Sequence, residues 1–245
     1  MPTDHAPKAW EHVVTYVEER IVRGEYVVGT HLPAERELAQ LVGVSRAAVR
    51  EAVRTLQASG VVRSTVGAGG TGGTTITGVP HRALTQLLRL HVALANFPTE
   101  DVTEVRVVLE RLSVRLACRN ISPDDLAAIG RTVDAMDDDS LTTEVFNDLD
   151  TDFHVAVANA AGNRLASDLT IAIRESMRLP ILSGLAALDD WTVVRATLRA
   201  EHHAILDAIT AEEAEEAVRL MDMHIRGAYA AMPSLRLPGN GHKDS

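Results

Sequence analysis

Apolar residues recur at helical spacing almost from the start of the chain. Trp10, Val13, Val14, Val17 and Ile21 form one stripe, which predicts a helix over about Lys8 to Arg23. A short helix follows from Glu35 to about Leu41, and Gly43 ends it. Ser45 then stands where an N-cap is wanted, ahead of a helix over Arg46 to Ala58 that Gly60 stops. The pattern next changes period. Val61 to Val66 and Thr74 to Thr77 read as two strands around the glycine-rich turn 67–73. Three helices and a β-hairpin are the element order of a winged helix-turn-helix. Beyond a linking helix over 81–95 and the break at Pro98, helical period dominates, with helices expected near 100–120, 123–138, 141–161, 164–179, 190–210 and 212–231. The fold class is therefore mainly α: an N-terminal winged helix-turn-helix (1–78), a linker helix (79–98) and an all-α bundle (99–232). Residues 233–245, with two prolines and two glycines, read as a disordered tail.

Composition adds constraints. Aromatic residues are 3% of the chain, so its cores are aliphatic. Cys118 is the only cysteine, which excludes an intramolecular disulfide and a thiolate metal cluster and fits a reducing cytoplasmic compartment. The N-terminus lacks a signal-peptide pattern, and no apolar run is long enough for a bilayer, so no membrane partner is expected. The net charge of -10 argues at first against nucleic acid. Its distribution reverses that reading. Residues 1–78 hold 8 basic and 8 acidic side chains, whereas 79–245 hold 16 and 26. Between 45 and 65, Arg46, Arg50, Arg54 and Arg63 face a single acid, Glu51. Phosphate contacts depend on such a local field.

On the helix from Arg46, Val49, Ala52, Val53 and Leu56 share the inward side, and Arg46, Arg50 and Arg54 form an exposed row. Arginines near the N-terminus of a recognition helix donate bidentately to guanine in the major groove. Ser45 and the free amides of the first turn suit a phosphate. Such a row alone is equally well an ordinary solvated face. The glycine turn is not a phosphate-binding loop, since no Gly-Lys-Ser/Thr and no helix follow it.

In the second part, Asp150 and His154 lie one turn apart on one helical face, and His202 and His224 fall on inward stripes with Leu198, Ile205 and Ile209 and with Ala217, Met221 and Ala228. One carboxylate and three imidazoles facing inward suit a divalent transition metal: zinc first, nickel or manganese(II) as alternatives. Each histidine by itself is more readily a hydrogen-bonded core or surface residue. Arg106 flanks the apolar stripe of Val105, Val108, Leu109, Leu112 and Leu116, a position that spacing alone places at a rim. Asn163 follows the break at Ala161-Gly162, where a helix cap accounts for it as well as a ligand contact does.

The stretches Leu32-Pro33-Ala34-Glu35-Arg36-Glu37-Leu38-Ala39, Gly43-Val44-Ser45-Arg46 and Val49-Arg50-Glu51-Ala52 closely resemble the DNA-binding domain of the GntR family over about residues 8–78. The resemblance implies a homodimer gripping an inverted-repeat operator, with Arg36, Arg46 and Arg50 on DNA and Gly67 where the wing meets the minor groove. The wing departs from the family pattern: extra glycines intervene and no aromatic follows. Residues from about 100 to 231 resemble the all-helical FCD ligand-binding domain of the FadR-type branch through Glu104-Val105-Arg106, Leu109-Glu110, Asp150-x-x-Phe153-His154, Ala161-Gly162-Asn163, Glu201-His202 and His224-Ile225. That likeness implies a divalent cation on Asp150, His154, His202 and His224, and it faces Arg106, with Asn163 nearby, toward a small carboxylate effector. The expected function is a transcriptional regulator, a repressor by expectation, whose operator affinity follows the effector. A direct metal sensor is the first alternative. A metal-dependent enzyme fused to a DNA-binding module is the second, though no separate general base or nucleophile is evident.

Overall fold

The computed structural model describes residues 7–65, 73–78, 81–232 and 235. The chain divides into two compact units, Met1–Ala83 and Leu84–Ser245.

In the first unit, α1 (Ala9–Val22), α2 (Glu35–Val42) and α3 (Arg46–Ala58) precede an antiparallel pair, β1 (Val62–Thr65) and β2 (Gly73–Ile76). Gly43 ends α2 at a φ of 74°, a left-handed conformation that glycine adopts without penalty. Two residues later Ser45 starts α3, its hydroxyl accepting from the Ala48 amide at 3.2 Å. These two devices set the angle between α2 and α3. Val13, Leu38, Ala39, Val49 and Ala52 pack where the three helices meet. Val17, Leu32, Leu56, Val62 and Ile76 carry that core under the hairpin. Residues 29–32 also bond to β2, through Leu32 N to Thr74 O and Ile76 N to Thr30 O, both 2.8 Å. Hydropathy patterning gives no sign of this pairing. Gly67 and the wing tip lie outside the described residues.

Helix α4 (His81–Ala93) leads into α5 (Thr99–Asn120), α6 (Pro123–Ala135), α7 (Thr143–Ala160), α8 (Arg164–Ala186), α9 (Trp191–Thr210) and α10 (Ala214–Ala231). In the second unit α5 packs along α10, α7 and α8, while α9 lies against α10, α5 and α6. Phe146, Phe153, Met177, Ile205, Ile209, Met221 and Ile225 are buried in this aliphatic core. No described helix is long and apolar enough to cross a membrane.

Three expectations need correction. Helix α8 does not stop before Pro180 but continues to Ala186, because Ile181 and Leu185, a turn apart beyond the proline, are buried in the core. Their burial offsets the hydrogen bond that proline cannot make. Helix α5 inverts its expected polarity. Val105, Val108 and Leu112 are exposed, whereas Arg106, Glu110 and Ser113 are buried alongside Val107 and Val114. Finally, Leu235, within the stretch read as a disordered tail, is buried against Gly184 with Met232.

Candidate metal centre and nucleic-acid interface

Helix α7 carries Asp150 and His154 one turn apart on its inner face, α9 brings His202 and α10 brings His224. The three histidines are buried and Asp150 is nearly enclosed, and one ligand atom from each of the four lies within 4.8 Å of every other. Oδ1 of Asp150 is 3.1 Å from Nε2 of His202, 3.7 Å from Nε2 of His154 and 3.9 Å from Nε2 of His224. The Nε2 atoms of His154 and His224 are 3.3 Å apart.

The outer nitrogens explain what converges there. His154 Nδ1 meets the buried carboxylate of Glu110 on α5, and His224 Nδ1 meets Glu201 on α9 at 2.8 Å. A carboxylate at Nδ1 assigns the ring proton to that side, leaving lone pairs on both Nε2 atoms. Two imidazole lone pairs and a carboxylate oxygen then face one another away from water. Such a donor set could hold a shared cation, and one oxygen with three nitrogens is suited to zinc and its divalent neighbours. His202 differs. Its Nδ1 has no partner among the described residues, and its ring stands edge-on to Phe153 with centroids 4.7 Å apart.

Two fully buried arginines complete the centre. Arg174 on α8 donates through Nη2 to Asp150 Oδ2 and, at 3.0 Å, to Thr151 Oγ1. Arg106 donates through Nε to Glu110 at 2.5 Å and through Nη2 to His154 Nε2 at 3.0 Å. Burial alone would push the Asp150 and Glu110 carboxyls up, but the guanidiniums of Arg174 and Arg106, with the histidines, hold both below the ordinary range. Burial depresses the imidazoles of His202 and His224, favouring the neutral form that binds metal. A cavity of about 20 Å³, lined by Arg106, Asp150, Arg174, His224 and Tyr229 among others, adjoins the cluster.

All four expected ligands thus come together, and Arg106 is buried beside them rather than at a rim. Asn163 does not join them. It is exposed and caps α8, its side-chain oxygen accepting from Ala166 N at 3.1 Å, and it is absent from the cavity wall. It serves as an N-cap, not the C-cap that the preceding helix end suggested. Sequence reasoning missed Glu110, Glu201, Arg174 and Tyr229. Glu110 carried a usable signal, an i,i+4 pairing with Arg106, and Glu201 adjoins His202. Arg174 and Tyr229 carried none.

In the first unit the exposed face of α3 presents Arg46, Arg50 and Arg54. Glu35 of α2 reaches Arg50 at 3.3 Å and Arg46 at 3.5 Å, so one carboxylate spans two of the arginines expected to read bases. Arg36 is exposed on the adjoining helix.

Residues 101–227 match the FCD domain family, and residues 9–71 match the bacterial regulatory proteins of the gntR family. The chain belongs to the GntR family. FCD domains are known to bind metals, and the buried Asp-His cluster of this one could hold such an ion. The galactonate operon transcriptional repressor of Escherichia coli is 28% identical over 84% of this chain and 89% of its own length. The transcriptional repressor NanR of Cronobacter sakazakii is 25% identical over 93% and 86%. Among solved structures, a GntR protein of Streptococcus agalactiae aligns with a TM-score of 0.62 and 26% identity, covering 91% of this chain and all of that one. GntR regulators bind DNA operators and typically act as dimers. This GntR protein is accordingly a DNA-binding transcriptional regulator and not an enzyme.

Proposed function

We propose that this GntR regulator is a repressor whose operator affinity is set by a small carboxylate bound at a divalent metal, zinc first, in its FCD domain. The observation that carries the reading is the buried convergence of Asp150, His154, His202 and His224 beside two arginines. The balance of charge supports it. Arg106 and Arg174 are balanced by Glu110 and Asp150 in the buried centre. With Glu201 also beside His224, a divalent cation added there leaves one net positive charge in a low-dielectric place, which a carboxylate offsets. The cation would also take the His154 lone pair that Arg106 now holds, leaving this guanidinium to pair with a carboxylate. The metal supplies a Lewis-acidic anchor for the anion, and the arginines orient it.

On the DNA side, Arg46 and Arg50 read base edges, Arg36 and the Ser45 end of α3 take phosphates, and Gly67 belongs to the wing contact that the family resemblance implies. A homodimer in the cytoplasm presents two such heads to an inverted repeat, and an effector favouring one arrangement of the heads shifts operator affinity by population. The test is operator binding by metal-loaded protein against a panel of hydroxy and dicarboxylic acids that includes galactonate. An acid that releases the operator supports the reading. No response from any acid, with metal content verified, removes the carboxylate.

A cavity of about 20 Å³ holds little more than one water, and this favours a second reading in which the metal alone is the signal. Chelation that switches operator affinity with no organic acid present would select it.

A further inference from the structure

A second, larger space lies outside the metal centre. It is a groove of about 230 Å³ between the first turns of α5 and the last turns of α10, with Thr103, Glu104, Arg226 and Tyr229 on its walls. Arg226 crosses it as a fork onto both carboxylate oxygens of Glu104, at 2.6 and 3.0 Å. Among the described residues, Tyr229 alone lines both this groove and the inner cavity beside Asp150 and His224.

Tyr229 is also held unusually. It is 9% exposed, yet among the described residues its hydroxyl has no hydrogen-bond partner, although a buried tyrosine normally finds one. Its ring lies 5.7 Å from the Arg106 guanidinium, the group that reaches His154 Nε2. Apart from the charged cluster itself, the inner wall, including Ile181, Leu185 and Leu198, belongs to the packed core. A ring that divides two spaces with its hydroxyl unbonded among the described residues can turn without breaking a hydrogen bond. With Tyr229 swung aside, cavity and groove would merge toward the lower end of the small-ligand range, roughly 300 Å³.

Resting on the metal reading above, we propose that the groove between α5 and α10 is the entrance to the metal centre and that Tyr229 is its gate. The closed position is kept by packing and by the Arg106 contact, so a cation or small anion passes when the ring rotates.

The experiment uses the full chain loaded with zinc and follows zinc release into excess EDTA, alongside equilibrium zinc affinity. Tyr229→Ala is expected to speed release by about tenfold with a much smaller change in affinity, as for a gate that acts on passage. Tyr229→Trp is expected to slow it. Tyr229→Phe should behave as wild type, since the hydroxyl holds nothing when the gate is closed. Leu198→Ala, on the inner wall away from the groove, is the reference for general loosening. Release unchanged in both Tyr229→Ala and Tyr229→Trp overturns the gate, and so does equal acceleration by Leu198→Ala. If Tyr229→Ala does not fold, the slowing by Tyr229→Trp decides. Wild-type protein that takes up no zinc overturns the metal reading itself, and the gate with it.

Discussion

Glu201 is the residue at which the metal reading is cleanest to probe, because its side chain is partly exposed and its carboxylate pairs with His224 Nδ1. Glu201→Gln keeps the shape and removes the charge that makes the imidazole a better donor. Zinc affinity is expected to fall by roughly 10- to 100-fold, read by titration against a competing chelator. Unchanged affinity would show that the carboxylate is incidental. Asp150→Asn tests the opposite face of the centre. It strips Arg174, 1% exposed, of its buried counter-charge. Metal-free protein should therefore lose about 3–5 kcal/mol in urea unfolding. Asp150 and His154 were legible in the sequence because i,i+4 spacing puts both on one face whatever surrounds them. Arg174 was not, since its single clue is a partner 24 positions away that only the packing of α7 on α8 reveals.

At the scale of the element, α3 matched its expected bounds, and the cause is local: a serine cap before it and a glycine after it leave little for tertiary contacts to decide. Ser45→Ala should destabilise the DNA-binding unit by about 1 kcal/mol, read as a lower thermal midpoint; no shift would mean that the cap bond is not formed in solution. Arg50→Ala should reduce discrimination between operator and scrambled duplex by about 1–3 kcal/mol, measured by anisotropy at fixed salt. An equal loss on both duplexes would make Arg50 a phosphate contact instead. Helices α5 and α8 show where periodicity misleads. Hydropathy ranks Val105 and Leu112 as core and Arg106 and Glu110 as surface, but a buried pair that satisfies itself and a histidine occupies the inner face instead. Pro180 likewise reads as a stop until the burial of Ile181 and Leu185 is known.

For the whole molecule, the sharpest prediction is that bound metal stabilises directly only the unit that holds its ligands. Every ligand and every charged partner of the ligands lies between residues 106 and 224, within the second compact unit. Zinc at a hundredfold excess over its dissociation constant should stabilise that unit by about 2.7 kcal/mol. Calorimetry with and without EDTA should then shift one unfolding transition and leave the DNA-binding unit's transition in place. Two transitions moving together would mean that the units unfold as one. The sequence signals for a division are spread along the chain, with the acidic excess and the change of period after residue 78 and a break only at Pro98, while the structure divides between Ala83 and Leu84.

The division of labour around the cavity has a consequence for how such a protein changes its diet. The cation would be held by α7, α9 and α10, whereas α8 supplies the aliphatic wall of Ile181 and Leu185 without donating a ligand. A lineage could therefore swap those two side chains, and so the molecule it answers to, while keeping the anchoring chemistry intact. Each swap would have to keep enough apolar burial to carry α8 past Pro180.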